Sequence, residues 1–477
     1  MTAPRLTVLA VDVFERRVRL RLPFRFGVVT ITHGRQAILR ARIRLDDGRE
    51  AEGYAAEALG AKWFDKNPAL TDAQNVDQLR RAVEIASEAY RAAGPSTAYG
   101  LFAASYEAQI ARGAAENLNP LVASYGPALL DRAVLDGLCR ALGVSFYQAV
   151  RSNLPGIVPA AVAPDLAGFP IEPFLAALQP AETILARHTV GLIDPIIASD
   201  QPPGTRVDDG LPETLEEVVA AYGQRWFKLK VSGDLAADLD RLLRIATVLD
   251  RSPDPYHATL DGNEQYETAA QVAALWAAIS GHAGLQRLAA SVAFIEQPIK
   301  RERVPNESVA ALAGQRPLII DESDGDIDAF RRARALGYAG VSSKTCKGLY
   351  KSILNLARCT LWNGDGPRRY FMSAEDLTTQ PGISVQQDLA LVNLLGLTHV
   401  ERNAHHFIDG FDERPEAEAR AFLAAHPDLY HEQNGRVRLR IDAGRLQLAS
   451  LDCPGFASAA APVLEGLERM PRSEWRV

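Results

Sequence analysis

The sequence has 477 residues, of which 47% are hydrophobic and 23% charged, and its formal net charge is −7. The length suits two domains rather than one core, and the composition is that of a soluble globular protein. The negative charge argues against a nucleic-acid partner, which needs a basic patch, and the absence of a long apolar run argues against a membrane partner.

The four cysteines are scattered and form no CxxC pair. This pattern is typical of reduced thiols in the cytoplasm rather than of a disulfide framework. The first residues of the chain alternate between apolar and charged types, which makes them a poor signal peptide. We therefore expect a cytoplasmic protein.

The N-terminal part predicts strands followed by helices. Apolar residues alternate with arginines over Arg17–Leu22 and Leu39–Leu45, which is the period of half-buried antiparallel strands. The pattern becomes helical over Asp72–Ala93, and Gly94 and Pro95 end it. This order predicts a compact α+β domain, which we place at residues 1–130.

From about residue 189 the pattern alternates between strands and helices. With His188–Ile193 as the first strand, about eight units follow, the number that closes a (β/α)8 barrel. We assign residues 131–410 to this barrel, with Ala198–Pro212 as an insertion, and residues 411–477 to a segment that packs back on the cap and barrel. The other predicted strands are Trp226–Val231, Tyr256–Leu260, Val292–Ile295, Leu318–Ile320, Ala339–Ser342, Tyr370–Ser373 and Thr398–Glu401.

Carboxylates lie at the ends of three consecutive predicted strands. Asp261, Glu296 and Asp321 each follow an apolar run, and residues at the carboxyl ends of barrel strands face the active site. Three such carboxylates repel one another unless a cation lies among them, and oxygen-only ligands favour Mg²⁺ over zinc. The alternative is that they cap the following helices. Their register with two lysine motifs favours a Mg²⁺ site.

Three lysines accompany these carboxylates. Lys228 and Lys230 share one face of a predicted strand, so their mutual repulsion lowers the pKa of one of them toward that of a general base. The alternative, a solvated edge strand, is disfavoured by the flanking apolar residues. Lys344 follows the sixth predicted strand and can reach the opposite face of a bound substrate, although alone it would be an ordinary surface lysine.

This constellation resembles the enolase superfamily, and within it the muconate-lactonizing-enzyme type of the mandelate racemase/muconate lactonizing enzyme family. The resemblance spans nearly the whole chain and includes a capping domain at the N-terminus. Its most specific motifs, in the family's order and spacing, are KLK at Lys228–Lys230, LDGN at Leu260–Asn263, IEQP at Ile295–Pro298, IDES at Ile320–Ser323 and KTCKG at Lys344–Gly348.

The resemblance implies an α/β fold: a (β/α)8-type, modified TIM barrel with an N-terminal α+β capping domain completed by the C-terminal tail. It also implies Mg²⁺ as cofactor and association into homo-oligomers. The implied roles are metal ligand for Asp261, Glu296 and Asp321, base for Lys230, acid or base on the opposite face for Lys344, tuning of Lys230 for Lys228, substrate contact for Asn263, orientation of groups near Lys344 for Glu322, and a seventh-strand carboxylate for Glu375. A helix cap is the alternative for Glu375.

The implied reaction removes the proton next to the carboxylate of a small-molecule substrate and gives an enediolate that Mg²⁺ stabilises. Reprotonation would complete a racemisation or epimerisation, whereas loss of a leaving group would give β-elimination, as in a dehydratase, or cycloisomerisation. The chain is therefore expected to be an isomerase or lyase. N-acyl amino acids, cyclic carboxylic acids and, least of all, sugar acids are open as substrates.

The chain departs from the family pattern near two strand ends. It has no histidine in Tyr370–Asp376, where the mandelate-racemase branch uses one, and it has Glu401, Asn403, His405 and His406 where dipeptide epimerases carry Asp-x-Asp. Both substrate classes are thereby disfavoured. The two histidines are open to either of two interpretations, lining the pocket or capping a helix.

Specificity is expected to come from the cap. Two of its loops, Phe24–His33 and Ala58–Asn67, should close over the barrel mouth and exclude water. The second contains Trp63 and Phe64 between charged residues, a combination that suits a substrate with one apolar and one polar part. The alternative is that both aromatic side chains only anchor the loop on the cap.

Two other functions stay open. A metal-dependent hydrolase on the same barrel would need a His-x-His pair on the first strand, where His188 stands alone. A catalytically inactive binding protein could keep the fold, but the complete set of three carboxylates and three lysines argues against it.

Overall fold

The computed structural model describes residues 3–411 and 413–476 of the chain. An antiparallel sheet opens the fold, formed by β1 (Leu6–Phe26), β2 (Val29–Leu45) and β3 (Glu50–Ala58). At the end of β2, Ala41, Ile43 and Leu45 are buried while the arginines between them are exposed, as the sequence alternation predicts. β1 and β2 form one long hairpin, so the expected loop Phe24–His33 consists mostly of paired strand residues.

Helices cover one face of this sheet. Thr71 and Gln74 form a capping box at the start of the second helix, and the fourth helix ends at Gly143, whose φ is 67°. The fourth helix packs so closely on β3 that a Cβ added to Gly53 would lie 2.0 Å from the carbonyl oxygen of Ala133. The four helices are α1 (Ala61–Phe64), α2 (Asp72–Ala92), α3 (Ala98–Ala115) and α4 (Pro120–Leu142).

Eight parallel strands form the barrel. Each pairs with the next along the chain, and the eighth pairs with the first, so the barrel is closed. The strands are β4 (Thr183–Val190), β5 (Trp226–Lys230), β6 (His257–Asp261), β7 (Val292–Glu296), β8 (Leu318–Ile320), β9 (Gly340–Ser343), β10 (Phe371–Ala374) and β11 (His399–Arg402).

The sequence places seven of these strands to within one residue of their observed ends. The first strand begins five residues earlier than predicted, because the alternating burial starts at Ile184 and not at His188. Between β7 and β8 the structure has only a short helix, where the sequence pattern predicts none.

Helices surround the barrel and continue into the C-terminal segment. Among the described residues no helix combines the length and apolar character that a membrane crossing requires. These helices are α5 (Phe146–Arg151), α6 (Ile171–Ala176), α7 (Leu215–Tyr222), α8 (Leu235–Leu249), α9 (Ala269–Gly281), α10 (Gln286–Ser291), α11 (Ala310–Ala313), α12 (Ala329–Ala335), α13 (Leu349–Asn363), α14 (Ile383–Leu394), α15 (Ala404–Phe407) and α16 (Glu416–Ala425).

The C-terminal segment contacts both the cap and the barrel. Its strands are β12 (Tyr430–Gln433), β13 (Arg436–Leu439), β14 (Arg445–Gln447) and β15 (Glu468–Arg469). β14 pairs with the barrel strand β4, β15 pairs with β1, and Arg16 Nη2 of the cap lies 2.7 Å from Glu418 Oε2. The predicted fold class, a capped barrel completed by the tail, is confirmed.

The predicted domain boundaries stay a prediction. Helix α4 runs through the boundary proposed after residue 130. The insertion at residues 198–212 lies between β4 and α7 and joins the cap, since Arg21 Nε of β1 lies 2.6 Å from Asp209 Oδ2.

Candidate active site

Three carboxylates converge at the carboxyl-terminal rim of the barrel. Asp261 and Glu296 are the last residues of β6 and β7 and are directly paired in the strand register, while Asp321 immediately follows β8. All three side chains are fully buried. The parallel strands therefore bring the three predicted metal ligands into one row.

Lys228 lies at the centre of the barrel mouth. Its Nζ is 2.9 Å from Asp261 Oδ2, 2.8 Å from Glu296 Oε2, 2.7 Å from Glu375 Oε2 and 2.9 Å from Glu401 Oε2. Burial opposes its positive charge, but these carboxylates outweigh that effect and hold the pKa of Lys228 well above its usual value. The charged Lys228 on β5 therefore links carboxylates that lie at the ends of four other strands.

Two further lysines bind the two ends of the carboxylate row. Lys230 Nζ lies 2.5 Å from Asp261 Oδ2, and Lys344 Nζ lies 2.7 Å from Asp321 Oδ2. Burial opposes the charge on Lys344, but Asp321 raises the pKa of this lysine far above its usual value. Lys347, which belongs to the same KTCKG motif, also approaches Asp321 Oδ1 at 3.3 Å. The amines thus approach the row from different strands.

Among the residues that the structure describes, no three carboxylate, imidazole or thiol groups surround a common point so as to hold a metal ion as they stand. The contacts explain this, because ammonium groups occupy the positions between the carboxylates. Even with these ammonium groups present, the negative charge of Glu296 is disfavoured. Burial and then repulsion from Asp261 and Glu375 raise its pKa well above the usual value, although Lys228 acts in the opposite direction.

The structure adds two charged residues that the sequence analysis did not assign to the site. Glu401, at the end of β11, accepts hydrogen bonds from Thr189 Oγ1 at 2.6 Å and Asn403 Nδ2 at 3.1 Å. Burial opposes its charge, but Lys228 and Lys230 lower its pKa well below the usual value. Arg187, on β4, forms an ion pair with Glu375. The rule that barrel strands end in functional groups could have found Glu401.

Glu375 belongs to the site and does not cap a helix. It directly follows β10, and its Oε1 accepts a hydrogen bond from Ser373 Oγ at 2.5 Å. The next helix, α14, begins only at Ile383, after Gly382. The helix-cap alternative for Glu375 is therefore wrong.

Asn263 and Glu322 form a polar group beside the carboxylate row. Asn263 Nδ2 donates to Glu322 Oε1 at 3.1 Å, and Lys66 Nζ of the cap lies 3.1 Å from the same oxygen and 2.6 Å from Glu264 Oε2. Glu322 thus contacts Asn263 and Lys66. Among the described residues, no hydrogen bond joins Glu322 to Lys344. Burial raises the pKa of Glu322, and Lys66 opposes that shift.

The two aromatic residues of the cap segment lie in different surroundings. The Nζ of Lys344 lies 4.1 Å from the centroid of the Trp63 ring, a distance typical of a cation–π contact. Phe64 packs edge-on against Tyr125 of α4, with 5.3 Å between ring centroids. Arg301 fixes the segment by donating to the carbonyl oxygens of Phe64 and Trp63 at 2.8 Å and 2.9 Å. Trp63 therefore reaches the site, and Phe64 anchors the segment.

A cavity of about 740 Å³ connects the lysines with the cap. Lys228, Lys230 and Lys344 line its floor together with Asn263 and Glu401. Its walls come from the β1–β2 hairpin, the segment around Trp63 and the loop after β10. The volume lies in the range of small-molecule sites, so the arrangement suits an acid held between cap and barrel.

His405 and His406 do not line this cavity. They lie in the short helix α15, where their rings pack around His188 at centroid distances of 5.6 Å and 5.0 Å. Burial lowers the pKa of all three histidines. The pocket-lining interpretation is therefore wrong for both residues.

Comparisons with known proteins identify the fold. No protein-family model matches the chain, and no curated protein matches it either. Among solved structures, an enolase from alpha proteobacterium BAL199 with bound Mg is similar at a TM-score of 0.59, with 15% identity over 97% of this chain and 97% of that chain.

Two further structures extend this likeness. A muconate lactonizing enzyme from Mycobacterium smegmatis complexed with muconolactone has a TM-score of 0.58 and 17% identity over 99% of this chain and 100% of that chain. A dipeptide epimerase from Enterococcus faecalis V583 complexed with Mg and L-Leu-L-Tyr has a TM-score of 0.58 and 14% identity, covering 94% of this chain and 99% of that chain. The fold implied by the motif resemblance is therefore confirmed: the chain has a capped barrel like that of these solved structures.

Proposed function

We propose that this protein is a Mg²⁺-dependent enzyme of the enolase superfamily that abstracts the α-proton of a carboxylate substrate. Racemisation, epimerisation, β-elimination or cycloisomerisation would follow. One observation carries the proposal: Asp261, Glu296 and Asp321 form a row at the barrel rim, with Lys230 bound to the first and Lys344 bound to the last. This arrangement supplies oxygen ligands and two amines in one buried place.

The donor set fits Mg²⁺. Asp261, Glu296 and Asp321 would hold the ion, because all three offer the hard oxygen atoms that it prefers. Burial and then repulsion from Asp261 and Glu375 raise the pKa of Glu296, and a bound cation would offset both effects. When bound, Mg²⁺ would stabilise the negative charge that develops on the substrate carboxylate. Lys230 and Lys344 now bind two of these ligands, so we expect metal binding to free their amines.

The lysines would carry out the proton transfers. Lys230 on β5 would take the α-proton from one face of the substrate, and Lys344 after β9 would take or return a proton on the other. Removal of the proton leaves an enediolate. Lys228 would keep its own proton, since the surrounding carboxylates raise its pKa. It would act as a fixed charge that holds Glu375 and Glu401 in position.

The cap would control water and orientation. Trp63 lies over Lys344, and Lys66 and Arg301 tie its segment to the barrel loops. Asn263 lines the cavity floor and would contact the substrate carboxylate. A cap held in this way would exclude water from the reacting centre.

A zinc-dependent hydrolase is less well supported. Such an enzyme would need histidine ligands at the mouth, whereas His188, His405 and His406 pack on one another away from the cavity. We retain an inactive binding protein only as an outcome of the test.

The test combines metal titration with proton exchange. Calorimetry should detect Mg²⁺ binding that Asp261→Asn, Glu296→Gln and Asp321→Asn each abolish, whereas the exposed control Asp240→Asn on α8 should bind normally. Proton NMR in heavy water should then detect Mg²⁺-dependent loss of an α-proton from a member of a carboxylic acid panel. Zinc binding without exchange would favour a hydrolase, and neither metal binding nor exchange would leave a binding protein.

A further inference from the structure

The cap contributes a second group of basic residues to the cavity that the lysines line. Arg17 and Arg19 of β1 line it together with His33 and Arg35 of β2. The strand register places Arg17 directly opposite Arg35, and Arg19 directly opposite His33. Facing residues of like charge destabilise an antiparallel pair of strands, so this arrangement of residues costs stability to the cap itself.

Carboxylates relieve only part of this positive charge. Arg35 pairs with Glu15, whose Oε2 lies 3.0 Å from Arg35 Nη1 and whose Oε1 lies 2.6 Å from Arg80 Nε. Within the described part of the chain, no ion pair or hydrogen bond involves the side chain of Arg17 or Arg19. Two exposed arginines therefore line the cavity without a carboxylate partner among these residues.

Other arginines of the same strand differ in this respect. Arg16 Nη2 lies 2.7 Å from Glu418 Oε2, and Arg21 Nε lies 2.6 Å from Asp209 Oδ2. These two arginines join the cap to the rest of the molecule. Arg17 and Arg19 lie on the same strand but form no such ion pair with any residue that the structure describes.

Apolar and acidic side chains also line this cavity. The apolar ones include Leu20, Phe24, Ile31, Leu59 and Val76. The acidic ones are Asp72, which lies 3.9 Å from Lys62, Asp376, Glu401 and Glu413. The cavity therefore combines the lysines of the barrel, apolar side chains and a second group of cations from the cap.

We propose that Arg17 and Arg19 bind an anionic group at the far end of the substrate. The substrate would then carry its reacting carboxylate at the barrel rim, an apolar chain in the middle and a second anion against β1. Guanidinium groups suit this task because they bind carboxylates through paired, charge-assisted hydrogen bonds. This inference rests on the proposed function for the identity of the reacting end.

The test compares acids that differ only in the second charge. Straight-chain dicarboxylates from succinate to sebacate and their monocarboxylate counterparts are titrated into the full chain with Mg²⁺ present. At least one dicarboxylate should bind about tenfold more tightly than the matched monocarboxylate, a preference of about 1.4 kcal/mol. Raised ionic strength should reduce this preference, because both arginines are exposed.

Variants identify the residues responsible. The double variant Arg17→Gln/Arg19→Gln should bind both acids equally, and Arg17→Lys/Arg19→Lys should recover part of the preference. Arg42→Gln is the matched control, because Arg42 is an exposed arginine of the same sheet that does not line the cavity. A dicarboxylate preference that survives in the double glutamine variant, or that is absent from the whole wild-type series, overturns the inference.

The outcomes separate this inference from the proposed function. If α-proton exchange occurs but dicarboxylates bind no better than monocarboxylates, the basic group of the cap is not a substrate subsite and the reaction class stands. If dicarboxylates are preferred through Arg17 and Arg19 but no acid exchanges its α-proton, the anion subsite stands and the proposed reaction fails.

Discussion

The two sides of the barrel wall contain buried titratable groups in opposite states. On the inner side, Lys228 is held in its charged form, and its Nζ lies 2.7 Å from Glu375 Oε2 and 2.9 Å from Glu401 Oε2. On the outer side, between strands and helices, His188 and His406 pack ring against ring, and the Nδ1 atoms of both lack hydrogen-bond partners among the described residues. Both sides are equally hidden from solvent.

The difference follows from strand geometry. Successive residues of a strand point to opposite faces, so β4 directs Arg187 inward toward Glu375 and His188 outward toward α15. Inside the barrel, neighbouring strands supply counter-charges that offset the cost of burial. Outside it they do not, and burial holds the histidines neutral. Within the barrel wall, the buried ion pairs therefore lie on the inner side, where several strand ends meet.

The largest expected effect tests the inner side. We expect Lys230→Ala and Lys344→Ala each to slow α-proton exchange by about 10²–10⁴-fold, the usual contribution of a general acid or base. NMR measures the rate, and circular dichroism checks the fold. Lys300→Ala is the control, since Lys300 is an exposed lysine that pairs with Glu267. Full activity in both site variants would refute the assignment of the bases.

The next prediction breaks the charge network itself. Lys228→Met removes one cation from among several buried carboxylates, and breaking a buried ion pair in this way costs about 3–5 kcal/mol. Urea unfolding at neutral pH measures the loss. The folded-state pKa of Lys228 is raised, so its contribution is fully present below the unfolded-state pKa and is lost only as pH rises through the folded value. A loss below about 1 kcal/mol would mean that the network does not depend on Lys228.

A smaller effect tests the outer side. Burial lowers the pKa of His188 to about 3, so the unfolded chain binds a proton that the folded chain refuses. The folded protein therefore keeps its full stability above about pH 6.5 and becomes less stable relative to the unfolded chain as pH falls below that value. The wild-type protein should lose free energy of unfolding between about pH 7.5 and 5.5, and His188→Gln should make this loss smaller by about 1.4 kcal/mol. Urea unfolding at both pH values measures this, and an unchanged pH dependence would show that His188 is charged when folded.

The smallest effect concerns the cap. Trp63→Leu removes a ring from above Lys344, a contact worth about 0.5–2 kcal/mol, so exchange should slow by a few-fold or somewhat more. Phe64→Leu serves as the comparison, because Phe64 packs on Tyr125. It should lower the urea midpoint with little change in the exchange rate. Equal effects on the rate would assign both rings to anchoring the segment.

Much of the site was predictable because its chemistry is concentrated at strand ends. The residue at the end of a short barrel strand lies at the barrel mouth even when the predicted strand is shifted by one position. Asp261 and Glu296 could therefore be assigned to the site without exact strand boundaries. Arg187 was not predicted as a site residue because the first strand was predicted to begin after it. Glu401 was visible as a strand-ending carboxylate, but the sequence alone gives no partner for it.

The sequence by itself determined the barrel, the capping domain and the row of carboxylates, because periodic burial and strand-end motifs are local properties of the chain. Only the tertiary structure decided which charges neutralise one another: that Lys228 contacts four carboxylates, that Trp63 faces the site while Phe64 does not, and that Arg17 and Arg19 have no carboxylate partner among the described residues. The physical reason is that ion pairing depends on distances between strands far apart in sequence, and no local pattern specifies those distances.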